Sequence, residues 1–168
     1  MKNETISEEA AIDLKTLLDH WQEHRRLTRR VIEAYPEDKL FTFSVGGMRP
    51  FSQLVMEMIT IAQLGAYGIA TGNWTVPNRP EINFTMQPPA TKAELLKFWD
   101  DTTEVINTMW PHMTVDRMNQ IDKAFGSYDG TITWHYFYFV DNEIHHRAQA
   151  YVYLRALGIE PPPFWDRH

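Results

Sequence analysis

Thr131 to Leu157 reads TITWHYFYFVDNEIHHRAQAYVYLRAL, an unbroken stretch far longer than an ordinary strand. Its opening, Ile132 to Val140, is aromatic and β-branched and would suit a strand by local propensity. No Gly or Pro interrupts the stretch, and Gly158 follows it, so the pattern predicts one long helix with a glycine stop. The tail Pro161-Pro162-Pro163-Phe164-Trp165 cannot continue a helix.

Working back from this stretch, three more long helices can be read. The first is predicted from about Ser7 to Tyr35: Thr5 and Glu8 have capping-box spacing, and Pro36 ends it. Leu14, Leu17, Trp21, His24, Thr28, Val31 and Tyr35 share one face of that helix. The second is predicted from Pro50 to Gly72-Asn73, with Leu54, Glu57, Ile61, Leu64 and Gly68 as its inner stripe. The third opens at Thr91, where Glu94 completes a capping box, and ends near Trp110-Pro111. A short helical turn is expected around Val115 to Asn119, and a plain turn from Gly126 to Gly130. Asn73 to Ala90 carries Pro77, Pro80, Pro88 and Pro89, which makes it a long loop able to cover a site. The expectation is an all-α four-helix bundle, one domain over residues 1–168, with that long loop between helices two and three.

Composition narrows the function classes. The chain has 168 residues and a net charge of -6, which argues against a nucleic-acid-binding surface. Arg25, Arg26, Arg29 and Arg30 form two i, i+4 rows, expected to be a solvated helix face, with an anion-binding strip as the minor alternative. With no cysteine there is no disulfide and no thiolate ligand, leaving His, Asp, Glu and Asn as candidate metal donors. The opening MKNETISEEAAIDLK has no apolar core of signal-peptide type, and no stretch of about 18 uncharged apolar residues follows. A cytoplasmic protein without membrane partners is the expectation. Aromatics make up 13% of the chain and include six Trp, consistent with a large core, a pocket or a dimer interface.

Two places carry chemistry. Glu57 lies within the apolar LVMEMITIAQL, where a carboxylate is costly to bury unless it is hydrogen-bonded, paired or bound to a cation. A place at the bundle edge, or a pairing with a neighbouring Arg, is the plainer reading. On the last helix Asn142 and His146 are i, i+4 and project about 6 Å apart. Asp141 and His145 form a second pair turned by about 100°, and only one pair can face the axis. His135 shares the Asn142 face but lies about 10.5 Å further along, so it can line a pocket but cannot share an ion with His146.

HHRAQAYVYLRALGIEPPPFW, His145 to Trp165, resembles the C-terminal signature of the DinB/YfiT-like family through His146, Arg147, Gln149, Leu154, Arg155, Gly158 and Pro161. MRPFSQLVMEMI, Met48 to Ile59, is similar to that family's opening of helix two, and Trp21 on the first helix agrees with it. The resemblance implies a four-helix bundle with a metal triad of three histidines, one on helix two and two on helix four. Carried over position by position, that triad falls on Glu57, Asn142 and His146. The changed set is harder and weaker, and would shift preference from Zn or Ni toward Mn, Mg or Fe.

Some members of the family are metal-dependent enzymes that join a low-molecular-weight thiol to an electrophile, and many are homodimers. The resemblance therefore implies a divalent-metal thiol transferase or hydrolase. In it His146 would be a ligand, Glu57 a ligand or base, and Asn142 a ligand or orienting amide. Gln149, Arg147, His135, His24 and Trp21 would form the supporting shell or pocket. For Arg147 a structural ion pair is the better expectation. The alternative is a metal-free bundle that binds a small molecule or dimerises, with Glu57, Asn142 and His146 as a satisfied buried network. A metal-free acid–base pair of Glu57 and His146 is a third reading.

Overall fold

A computed structural model describes residues 12–168. Four long helices form the bundle: α1 (Leu14–Ala34), α3 (Phe51–Thr71), α4 (Lys92–Met109) and α6 (Ile132–Ala156), with short helices α2 (Glu37–Thr42) and α5 (Val115–Met118) between them. The expected start at Ser7 and its Thr5–Glu8 capping box lie outside the described residues. Asp13 caps the observed start of α1 by accepting from the Thr16 amide at 2.7 Å. The chain leaves α1 at Tyr35, ahead of Pro36. At α4 the Thr91–Glu94 capping box forms in both directions. Gly72, at φ 79°, closes α3 in the left-handed conformation.

The strand alternative for Ile132 to Val140 is not adopted, and α6 runs through it with Thr131 as N-cap. The expected turn at Gly126 to Gly130 proves to be part of an antiparallel hairpin, β1 (Ile121–Ala124) with β2 (Tyr128–Thr131), in register Ile121↔Thr131. Asp, Lys, Ala and Gly fill much of both strands, and these are poor strand formers, so local propensity concealed it. Tertiary contacts hold the hairpin instead: Arg117 donates to Asp122 Oδ2 at 2.5 Å, and His135 Nε2 meets the Asp122 carbonyl at 3.1 Å.

Helix α3 packs on α4 and α6, and α1 packs on the same two. Helices α1 and α3 therefore face each other across the bundle, and the chain crosses it between them through α2. Helix α3 is long and apolar enough to cross a membrane by length and composition, yet it is buried on nearly every side by its neighbours. The core has two halves. Tyr35, Phe51, Ile59, Leu95 and Trp99 fill one, and Trp21, Ile106, Trp110, Tyr136 and Phe139 fill the other. Val76 and Ile82 pack against Leu64 and tie the long loop of residues 73–90 onto α3.

Of the four arginines of α1 expected on a solvated face, Arg26 alone is exposed. Arg25 is 1% exposed; its guanidinium lies 3.5 Å over the Trp99 ring and donates to the Trp99 carbonyl and the Thr103 hydroxyl. Arg29 pairs with Asp100 and Arg30 with Asp166, so the row fastens α1 to α4 and to the C-terminal segment. Further round α1, buried Glu143 of α6 accepts from Thr28 at 2.7 Å and lies within 4 Å of both Arg25 and Arg147. Arg147 donates to the Thr28 hydroxyl at 3.0 Å and to His24 Nδ1 at 2.8 Å. Burial, with help from the Arg147 and Arg167 charges, pulls His24 down to about 3 and keeps it neutral.

Two predictions follow from this packing. A Cβ on Gly68 would collide with the indole of Trp74. Gly68→Ala should therefore lower stability by about 1–3 kcal/mol through overpacking, against the gain of about 1 kcal/mol that helix propensity alone would give. The urea midpoint decides between them: a midpoint at or above the unmutated value places the indole elsewhere. For His24, the unfolded side chain takes up a proton below its ordinary 6.5 while the folded one does not until about 3. Stability must fall as pH drops through that window. Between pH 7 and 5 this loss should be about 2 kcal/mol larger in the unmutated protein than in His24→Gln, read from urea titrations at both pH values.

Candidate functional site

Helix α3 brings Glu57 opposite one turn of α6. Glu57 Oε1 accepts from His146 Nε2 at 2.9 Å and from Asn142 Nδ2 at 3.2 Å. The i, i+4 spacing of Asn142 and His146 is what lets both reach one oxygen. Oε2 accepts from Arg49 Nη2 at 2.6 Å. His146 Nδ1 faces Gln149 Oε1 at 2.9 Å, and Gln149 in turn donates to Met48 Sδ at 3.8 Å. The Tyr153 hydroxyl donates to the Arg49 carbonyl at 3.1 Å and fixes the segment that carries the guanidinium.

The hydrogen bond from His146 is the main cause that holds the Glu57 carboxyl down at about 2. Arg49 and Asn142 add to it, and partial burial opposes it. Glu57 is thus a carboxylate throughout the physiological range, with a donor or cation on each oxygen. Asn142 Oδ1 is buried and has no hydrogen-bond partner among the described residues.

The other expected residues divide. Gln149 joins the cluster through His146. Arg147 and His24 do not: they belong to the α1–α6 seam described above, because α6 turns their side of the helix toward α1. Trp21 is a core residue, edge-on to Trp110 and Tyr136. His135 is 1% exposed beneath the hairpin, against Trp74 and Trp134, and lines no part of the cavity beside Glu57. Asp141 and His145 are both exposed, which removes the alternative pairing.

Arg49 was missed as a site residue. It stands outside α3, before Pro50, so no helical spacing rule connects it to Glu57; only its long side chain makes the reach. Glu143 was missed too, although its i, i+4 relation to Arg147 was a usable signal.

Beside Glu57 opens a cavity of about 560 Å³, within the range of small-molecule sites. Gln53, Glu57 and Thr60 of α3, with Arg49 just ahead of it, form one wall; Phe84, Met86 and Gln87 come from the long loop, Phe125 and Tyr128 from the hairpin, and Tyr138 from α6. The donor set suits a divalent ion poorly. Both Glu57 oxygens already accept from N–H groups, and His146 Nε2 turns its hydrogen, not a lone pair, toward Glu57. Among the described residues no group of three or more His, Asp or Glu is arranged to hold a metal. The buried Asn142 oxygen beside them has no partner among the described residues.

Comparison with known proteins agrees with this architecture. A DinB-like protein from Bacillus subtilis superposes with a TM-score of 0.70 at 20% identity, covering 90% of this chain and 99% of that one. A DinB-like protein from Bacillus cereus gives 0.71 at 13% identity, covering 89% and 95%. At these identities the likeness shows a shared fold. A search of curated proteins finds no match. The model of the DinB family matches residues 1–167, and the chain belongs to that family.

Proposed function

We propose that this DinB-family chain is a metal-free small-molecule-binding bundle, in which the Glu57–His146–Asn142 cluster closed by Arg49 stands where the family pattern has its metal ligands. The observation that carries this is the guanidinium of Arg49 at 2.6 Å from Glu57 Oε2. A divalent ion bound to Glu57 and His146 would sit beside that positive charge, and the two cations would repel each other, less strongly where solvent reaches the half-exposed guanidinium. Arg49 also supplies the charge balance that a partly buried carboxylate needs, so the cluster does not require a metal for it. The ligand seat is the cavity on the Arg49 side of Glu57, roofed by the long loop and the hairpin.

The rival reading, a divalent-metal enzyme with Glu57, Asn142 and His146 as ligands, draws support from the unpartnered Asn142 oxygen. It requires Arg49 to leave Glu57. Metal analysis after dialysis against Mn, Fe, Mg, Ni and Zn separates the two. The metal-free reading expects less than stoichiometric metal in the unmutated protein, no change in Glu57→Ala or His146→Ala, and a rise in metal content only in Arg49→Ala. One equivalent of metal, lost in both Glu57→Ala and His146→Ala, would establish the rival.

The cluster also sets an acid limit. Glu57 in the folded chain stays ionised down to about 2, below its ordinary 4.5, so its stabilising contribution is complete above 4.5 and is lost as pH falls toward 2. In Glu57→Gln that part of the acid unfolding curve should flatten. An acid limb as steep as in the unmutated protein would show that Glu57 is not held by these donors.

A further inference from the structure

On the metal-free reading above, the question is which ligand the cavity selects. We infer that it takes a monocarboxylate with an aromatic or alkyl body, the carboxylate on Arg49 and the body among Phe84, Phe125 and Tyr138. Of the charged groups at the cavity, the cation still has open donors while the carboxylate is already supplied with them. Glu57 accepts from three partners, two on Oε1 and one on Oε2. Arg49 spends one nitrogen on Glu57 and donates elsewhere to nothing among the described residues; its side chain is 51% exposed at the cavity. Thr60 lines the same wall at 2% exposure and brings a hydroxyl to it. A planar guanidinium with free N–H groups and a neighbouring hydroxyl match a carboxylate, which accepts from both.

The charge count favours a single negative charge. Among the described residues Arg49 is the only cationic side chain in the lining, and Glu57 already offsets part of its charge. A dianion such as a phosphate monoester would face the Glu57 carboxylate with no further cation to balance it. The opposite wall is aromatic: Phe84 meets Phe125 edge-on at 5.2 Å, and Tyr138 closes the side. Phe84 is 56% exposed although it lines the cavity, an apolar ring that gains burial when a ligand body covers it.

The test uses 3-phenylpropionate, its neutral amide and 2-phenylethylphosphonate, each titrated by calorimetry into the full-length protein with its metal content measured on the same sample. The expected order is carboxylate above amide by about ten-fold or more, the difference between a charge-assisted and a neutral hydrogen bond, with the phosphonate weaker than the carboxylate. Arg49→Gln should remove the preference for the acid over the amide, and Arg49→Lys should restore part of it. Phe84→Ala, a change at an exposed ring, should weaken both probes by about three- to ten-fold. Equal binding of acid and amide, unaffected by Arg49→Gln, would overturn the carboxylate assignment and leave the cavity reading standing. Tighter binding of the phosphonate would overturn it in favour of a dianion. Absence of binding by every probe at millimolar concentration, or no effect of Phe84→Ala, would remove the cavity as the seat and the inference with it. Acid binding that appears only with a bound divalent ion would instead refute the metal-free reading.

Discussion

A carboxylate on the most buried helix of a bundle has to be supplied with donors, and the way Glu57 is supplied shapes this molecule. Helix α3 is apolar over nearly its whole surface and packs on α4 and α6 at once. Left alone at that depth, the Glu57 charge would cost several kcal/mol. Three donors from two directions remove most of that penalty. His146 and Asn142 come from α6, and Arg49 comes from the segment ahead of α3. The cluster thereby fixes the rotation of α3 against α6, because turning either helix by one residue would carry its members about 100° out of reach.

Arg49 does more than balance charge. It is anchored at its backbone by Tyr153 of α6 and at its guanidinium by Glu57 of α3, so the segment before Pro50 is tied to both helices. That places one partly satisfied cation at the rim of a cavity roofed by the proline-rich loop and the hairpin. The loop is held by Val76 and Ile82 against Leu64, and the hairpin by Asp122 against Arg117 and His135. The roof therefore rests on a few tertiary contacts rather than on strong local secondary structure. Such elements open at lower free energy than the bundle core.

What could be read from the sequence follows from how local each signal was. Thr91–Glu94, Pro50, Gly72 and Gly158 are punctuation within a single segment, and the last three long helices came out close to their observed limits, whereas α1 begins at Leu14 behind the Asp13 cap rather than near Ser7. The proximity of Glu57 to Asn142 and His146 was legible through the family resemblance, which carries a metal triad onto those three positions; the apolar stripe and the i, i+4 spacing alone left the Asp141–His145 pair as an alternative. Arg49 and the hairpin were not legible. The first reaches its partner from outside the helix, and the second is held by tertiary contacts that propensity does not record. The buried Arg25 was misread for a related reason: the Trp99 ring that takes it in belongs to another helix.

Helix α6 shows why composition alone cannot mark a site. Its buried surface carries two polar i, i+4 pairs side by side, Asn142 with His146 and Glu143 with Arg147, while Asp141 and His145 between them in sequence face water. Both buried pairs hold one member that approaches a charged group on a neighbouring helix. They differ in access. The Glu143–Arg147 pair is sealed between α1 and α6, where Glu143 also faces Arg25 and both members hydrogen-bond to neutral groups, Thr28 and His24, within the protein. The Asn142–His146 pair meets a carboxylate whose other face looks into a cavity, with an exposed guanidinium beside it and one amide oxygen without a partner. A closed network of this kind adds specificity to the packing and leaves nothing over for a ligand. The open one retains unused hydrogen-bonding capacity next to a space large enough for a small molecule, and that combination, not the presence of histidine, distinguishes the cavity side of α6 from the side sealed against α1.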